Sequence, residues 1–201
     1  SGWRQQKGVP VMRHIQTQLL LDYWRQMRGE QLAPQKDSIE PRDIKDHLAF
    51  SFLLRREGHD RFTFALAGTG LCDLFGRELR GNSFVHLFAE TSREAATTSL
   101  VRVSHLSVPT VASCTAETAD ERPLSTEMLM LPYANERGET NWVLGHLQSL
   151  EPLSRLYGRK LARIRMGASA ILTGDAHGPA DVVFLDAKKK VPHLKLVSAR
   201  S

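Results

Sequence analysis

The sequence predicts an α+β fold: a five-stranded antiparallel sheet with helices on one face and an N-terminal amphipathic helix on the other. Three observations carry this. Helical apolar spacing occurs near the N-terminus and again in the stretch after Thr91. Two strand-like segments flank Gly58-His59-Asp60, which is hairpin chemistry. Three further strand-like segments, joined by short polar turns, complete a meander with the helices grouped between strands two and three.

Residues 1–10 read as loose chain. From about Arg13 to Gly29, Ile15, Leu19, Tyr23 and Met27 recur at four-residue spacing with Leu20 and Trp24 beside them. That is a wide apolar stripe on a helix of about four turns. Residues 30–41 read as a connector, and Pro41–Ile44 as the first turn of a short helix, where proline lacks only a free N–H. Ala49–Arg56 and Phe62–Ala67 are the hairpin strands. Gly68-Thr69-Gly70 stops the second, and Leu71–Phe75 is a short helix closed by Gly76. Thr91 to Leu106 is the longer helix, with Thr91 or Ser92 as N-cap. Val108–Thr118, Leu124–Leu131 and Asn141–Leu150 are the last three strands. After Pro152 the pattern weakens. Leu153–Met166 reads as a short basic helix, and residues from about 168 onward as mobile chain that includes Val182–Leu185 and Lys188–Lys190. Three parts are therefore expected: an N-terminal helix over 1–30, a core over 31–151, and a basic, partly flexible tail over 152–201.

A hydrophobic fraction of 41% suffices for a packed core, and no run approaches the about 20 apolar residues that span a bilayer. The start lacks the apolar segment of a secretory signal. The two cysteines, Cys72 and Cys114, have no zinc spacing and make no disulfide scaffold, so a reduced, cytoplasmic protein is expected. The net charge of +5 is unevenly placed. Residues 1–151 hold 17 Lys/Arg and 19 Asp/Glu, whereas residues 152–201 hold 10 and 3. The positive surplus therefore belongs to the tail, as a solvated extension or as an attraction for nucleic acid, acidic lipid or an acidic protein face.

Asp22-Tyr23-Trp24-Arg25-Gln26-Met27-Arg28-Gly29, Ile39-Glu40-Pro41-Arg42-Asp43-Ile44, the run Phe64–Leu79 around Ala67-Gly68-Thr69 and Leu74-Phe75-Gly76-Arg77-Glu78-Leu79, and Leu129-Met130-Leu131-Pro132 occur in that order. Together they resemble a PAS-fold domain family of alphaproteobacteria, formerly a domain of unknown function, over about residues 15–150. The resemblance implies a PAS fold, a regulatory role and a tendency to dimerise. It supplies no catalytic residue.

Chemistry-bearing patterns are weak. Gly68-Thr69-Gly70 follows a strand, but the third glycine of a dinucleotide fingerprint is replaced by Asp73. The eight histidines do not cluster, and no metal-ligand spacing occurs. His105 lies where some PAS domains carry a haem ligand, and an ordinary histidine is the alternative. Cys72 has its nearest base, Arg77, five residues away, there is no G-x-S-x-G elbow, and no flavin-photoreceptor segment of the N-C-R-F-L kind is present. The chain is thus expected not to be an enzyme and to need no cofactor or metal.

A candidate pocket on the inner sheet face comprises Phe64, Leu66, Cys72, Leu74, Phe75 and Phe84, with Leu87, His105, Met128, Met130, Trp142 and Leu144; the same residues could instead make a filled core. The last two strands are apolar on both alternations, so the sheet must be covered on both faces. Ile15, Leu19, Tyr23, Trp24 and Met27 of the first helix, with Leu129, Leu131, Val143 and Leu147 of the outer face, are the candidate dimer interface. The function expected is a regulatory PAS sensor or interaction protein that works through protein–protein contact as a homodimer with a signalling partner. A small-molecule sensor is the first alternative, and a nucleic-acid-associated regulator acting through the tail the second.

Overall fold

The computed structural model describes residues 12–173 and 181–185. The elements in order are α1 (Ile15–Arg28), β1 (Ser51–Glu57), β2 (Arg61–Ala67), α2 (Thr69–Phe75), α3 (Glu90–Leu106), β3 (Thr110–Thr118), β4 (Pro123–Tyr133), β5 (Trp142–Ser149), β6 (Leu161–Thr173) and β7 (Asp181–Leu185). All the strands form one antiparallel sheet in the order β2-β1-β5-β4-β3-β6-β7. The five expected strands run from the β2 edge to β3, and β6 and β7 extend the sheet beyond β3.

That extension corrects the reading of the chain after residue 152. Leu153–Leu156 is one 3-10 turn, and the expected basic helix is instead a 13-residue strand that keeps residues up to Thr173 in the sheet. The reason is charge matching across β3. Arg163 and Arg165 donate to the two oxygens of Glu117, each at 2.8 Å, and Arg163 also reaches Glu121. Arg159 pairs with Asp120, Arg155 with Glu151, and the Lys160 ammonium donates to the Asp73 carbonyl. The described arginines after 152 are therefore paired with acids of the rest of the domain, and Lys160 is held by a carbonyl. Residues 1–10, 174–180 and Lys188–Lys190 lie outside the described residues.

Two apolar layers sandwich the sheet. The inner face packs against α2, α3 and the short turn Phe84–Leu87, around Phe52, Phe64, Leu79, Leu100 and Ile164. The outer face of β3, β4, β5 and β6 is covered by α1, whose Leu20, Leu21 and Trp24 meet Leu129, Leu131, Tyr133, Leu144 and Ala170. The Trp24 indole N–H donates to the Pro132 carbonyl at 2.7 Å, which fixes the helix over β4. Pro41–Ile44 forms turns, not a helix. The α3 N-cap is Ala89, with no side-chain bond; Ser92 lies inside the helix and accepts the Met166 N–H, tying α3 to β6.

Candidate functional site

The inner face gathers Phe64, Phe75, Phe84, Leu87, Met128 and Met130 in one buried cluster, with Cys72 and Leu74 packed against it. Its centre is filled. Phe52 lies 5.5 Å from Phe64 and 5.6 Å from Phe84 between ring centroids, and Phe84 lies 5.0 Å from Phe88. Gly145 makes room for this stack, because a Cβ there would sit 2.1 Å from the Phe52 ring.

Four expected pocket residues lie elsewhere. Leu66 is 57% exposed. The β1–β2 register runs Leu53↔Leu66 and then Leu54↔Phe64, so Ala65 is an extra residue that turns Leu66 outward and Ala67 inward. Trp142 and Leu144 pack with the outer cluster, while Val143 and Leu147, expected on the outer face, belong to the inner one. A strand apolar on both alternations does not declare its phase, and a one-residue slip exchanges its faces. His105 sits at the exposed end of α3 with its Nε2 3.1 Å from the Arg56 guanidinium, away from the inner cluster. Of the expected dimer residues, Trp24, Leu129 and Leu131 are buried beneath their own α1.

Both thiols are held protonated. Burial pushes Cys114 up to about 12. Burial also raises Cys72, and its Sγ donates to the adjacent Glu78 carboxylate at 3.6 Å. A protonated thiol is a poor nucleophile. Among the described residues no group of histidine, cysteine and acidic side chains is arranged to hold a metal.

Among the described residues, cavities border the core at three places. One of about 380 Å³ opens at the far end of β5, between Leu74, Leu124, Leu147 and Leu161 of the inner layer and His14, Gln148 and Glu151 at its mouth. An apolar groove of about 440 Å³ lies between the connector residues Ile39, Ile44 and Leu48 and the outer side of β1 and β2 at Leu53 and Leu66. A polar recess of about 500 Å³ lies at the start of β5, where the β1–β2 turn, the end of α3 and the β4–β5 turn meet around Arg56, Ser104, Ser107, Glu139, Thr140 and Asn141. Of its lining residues only His105 stood out in the sequence, and as a haem-ligand position on the inner face rather than as part of this recess. Its residues come from the end of β1, the end of α3 and the β4–β5 turn, which share no local signal.

A buried polar set lies beneath the N-terminal half of α1. The Glu127 carboxylate, 2% exposed, accepts the Arg13 and His14 N–H groups at 2.8 and 3.1 Å, so the positive end of the helix rests on a buried acid. The Ser51 hydroxyl donates to the His47 carbonyl and lies 2.9 Å from His146 Nδ1. His146 Nε2 meets Gln148, and His47 Nε2 meets the Gln16 carbonyl. Burial drives His146 down to about 4, with the neighbouring His47 adding to the effect. Ser51 and His146 mimic part of a nucleophile pair, but both lie buried beneath α1. The arrangement holds a helix rather than a substrate.

Among the described residues no helix is long and apolar enough to cross a membrane. No curated protein matches the sequence. Three solved structures are similar to part of the chain. A variant of RsLOV is 14% identical, with a TM-score of 0.41 over 51% of this chain and 61% of that one. The Rhodobacter sphaeroides LOV protein is 12% identical, with a TM-score of 0.43 over 59% and 72%. A VqmA dimer from Vibrio cholerae is 11% identical, with a TM-score of 0.40 over 56% and 52%. The chain thus spans less than two thirds of the first and third of these. The family model described as PAS domain matches residues 12–148, in keeping with the two-strand, helix, three-strand order found here, and the chain belongs to the PAS domain family.

Proposed function

We propose that this chain is a regulatory PAS sensor domain, without catalytic activity, whose output is contact between proteins, and that the contact begins as a homodimer through the outer face of α1. One observation carries the reading: α1 is apolar on two sides. Leu20, Leu21 and Trp24 are spent on its own sheet. Ile15 and Leu19 point away, 63% and 48% exposed, with Tyr23 and Met27 half-buried on the same stripe. An apolar stripe left in water beside a face already packed on its own sheet favours a second surface that covers it.

The connector adjoins this stripe. The Glu40 N–H donates to the Tyr23 hydroxyl, and His47 reaches the Gln16 carbonyl, so the connector is tied to α1 at two points. The tail is a weaker candidate for the contact than its charge suggested, because its described arginines are already paired.

Size-exclusion chromatography with light scattering tests the reading. The unmodified chain is expected to run as a dimer, and Ile15→Glu with Leu19→Glu as a folded monomer with unchanged circular dichroism. A monomeric parent, or a dimer that survives both substitutions, defeats the proposal.

A further inference from the structure

The outer face of the sheet is wider than the helix that covers it. Seven strands at about 4.8 Å spacing make a face roughly 30 Å across, and one helix of about 10 Å covers a third of it. One apolar row shows where the cover ends. Leu66, Leu53, Leu144 and Leu131 stand in register across β2, β1, β5 and β4. Leu131 and Leu144 are buried in the layer that holds α1. Leu53 is half-buried, and Leu66 is 57% exposed. The row thus runs out from beneath α1 into the apolar groove between the connector and the β1–β2 hairpin. On the connector side, Leu48 lines that groove and is 40% exposed.

The groove is built before anything fills it. A Cβ on Gly68 would lie 2.1 Å from the Leu48 carbonyl oxygen, so the glycine lets the end of β2 close on the connector. The Gly68 N–H donates to the Ser51 carbonyl at 2.8 Å, and the Ser51 hydroxyl donates to the His47 carbonyl. Walls fixed in this way need little ordering on binding. The bulge at Ala65 turns Leu66 outward on the edge strand β2, and an outward leucine at a sheet edge invites a cover. Beyond the groove, Arg55 and Arg61 are paired with Glu57. The attraction this surface offers is therefore apolar.

We infer that the groove seats α1 of a second copy of this chain, an inference that rests on the α1 homodimer proposed above. Ile15 and Leu19, one helical turn apart, enter the partner's groove, and the partner's α1 enters this one in return. The groove and α1 share the connector, which lines the one and is tied to the other at two points. Two aliphatic side chains alone fall far short of the about 800 Å² that each partner buries in a stable interface. A two-fold axis uses stripe and groove twice and closes the assembly. Packing α1 on its twin would leave Leu48 and Leu66 in water. A different protein in the groove would leave Ile15 and Leu19 in water.

Chromatography with light scattering and thiol cross-linking of the full chain test this. Leu66→Glu is expected to give a folded monomer, since the side chain is exposed in its own fold. Leu66→Glu and Leu19→Glu chains mixed in equal amounts are expected to recover a dimer, because the pair keeps one intact stripe and one intact groove. That dimer should be about tenfold to a hundredfold weaker than the parent, the loss of one buried leucine contact. Oxidation of mixed Leu19→Cys and Leu66→Cys chains should link position 19 of one to position 66 of the other in peptide maps. A dimer that survives Leu66→Glu overturns the groove as the seat, as does a link between two position-19 thiols in place of 19 to 66. Either leaves α1 as the dimer contact. If native mass spectrometry finds a small molecule on the parent that Leu66→Glu releases while staying dimeric, the groove belongs to that molecule and the inference fails. A monomeric parent overturns the inference and the α1 homodimer together.

Discussion

The two faces of the sheet are built on different terms. The inner face is dry: phenylalanine rings and two methionines close on α2 and α3. The outer face changes character along its length. The row Leu144–Leu131 is apolar, the row Ser51–His146–Leu129–Val111 is mixed, Gln148–Glu127–Ser113 is polar, and Glu117 with Arg163 is charged. α1 lies across the first three rows, with Trp24 at the apolar end and its N-terminus on Glu127. Gln16, Thr17 and His47 each keep a buried polar atom without a partner there. The inner layer therefore holds the domain together, whereas α1 is seated by groups whose charge state matters. That contrast suits a sensor: one element can respond while the core stays intact.

The largest expected effect tests the inner half of the contrast. Phe84 is fully buried and touches three other rings. Phe84→Ala is expected to cost about 3–5 kcal/mol in urea-induced unfolding, because the ring's contacts vanish and the rigid neighbours leave a void. The whole domain should lose stability together. If protection against hydrogen exchange falls in α1 alone, the inner layer is not the shared core.

The outer half is tested by pH. His146 is neutral in the fold, with its pKa lowered to about 4, chiefly by burial. An unfolded histidine titrates near about 6.5. The fold therefore prefers the unprotonated ring: this stability is fully present above the unfolded value and is lost as pH falls toward about 4. Between pH 7 and pH 5 the loss is on the order of 2 kcal/mol. The groups around the ring are His47, 5.6 Å away between centroids, with His14, Ser51 and Gln148. His146→Gln should flatten the pH dependence of stability relative to the parent chain. An equal slope in both would assign it to the other histidines.

The same contrast explains what could be read from the residues alone. The helix over 15–28, the hairpin and the meander were legible because their apolar periods and turn residues are local signals. The inner residues Phe64, Phe84, Met128 and Met130 were legible for the same reason. Leu66 was not, because one bulge at Ala65 reverses the alternation beyond it. Val143 and Leu144 exchanged faces because both are apolar, and His146, the polar residue that marks the outer side, is itself buried. β6 was hidden by its arginines, which look like a solvated tail until Glu117 and Glu121 are placed opposite them. The polar recess joins the ends of β1 and α3 to the β4–β5 turn, a convergence that no local pattern encodes.

The smallest expected effect concerns the charged end of the outer face. Burial would raise the Glu117 carboxyl, but hydrogen bonds from Arg165 and Arg163 overcome it and hold the group below the ordinary carboxylate range. Its folded pKa is depressed, so its contribution is present above the unfolded value near about 4.3 and is lost as pH falls below it. This window lies beneath that of His146, which separates the two titrations. Glu117→Gln keeps the shape and removes the charge, leaving two arginines without their shared partner. The expected cost is about 1 kcal/mol, since Arg165 remains half in solvent where screening weakens the pair. Hydrogen exchange should loosen β6 and leave α1 unchanged. A matching loss of protection in α1 would mean that the charged and polar rows act as one unit, and the outer face would then have a single seat for its helix instead of a graded one.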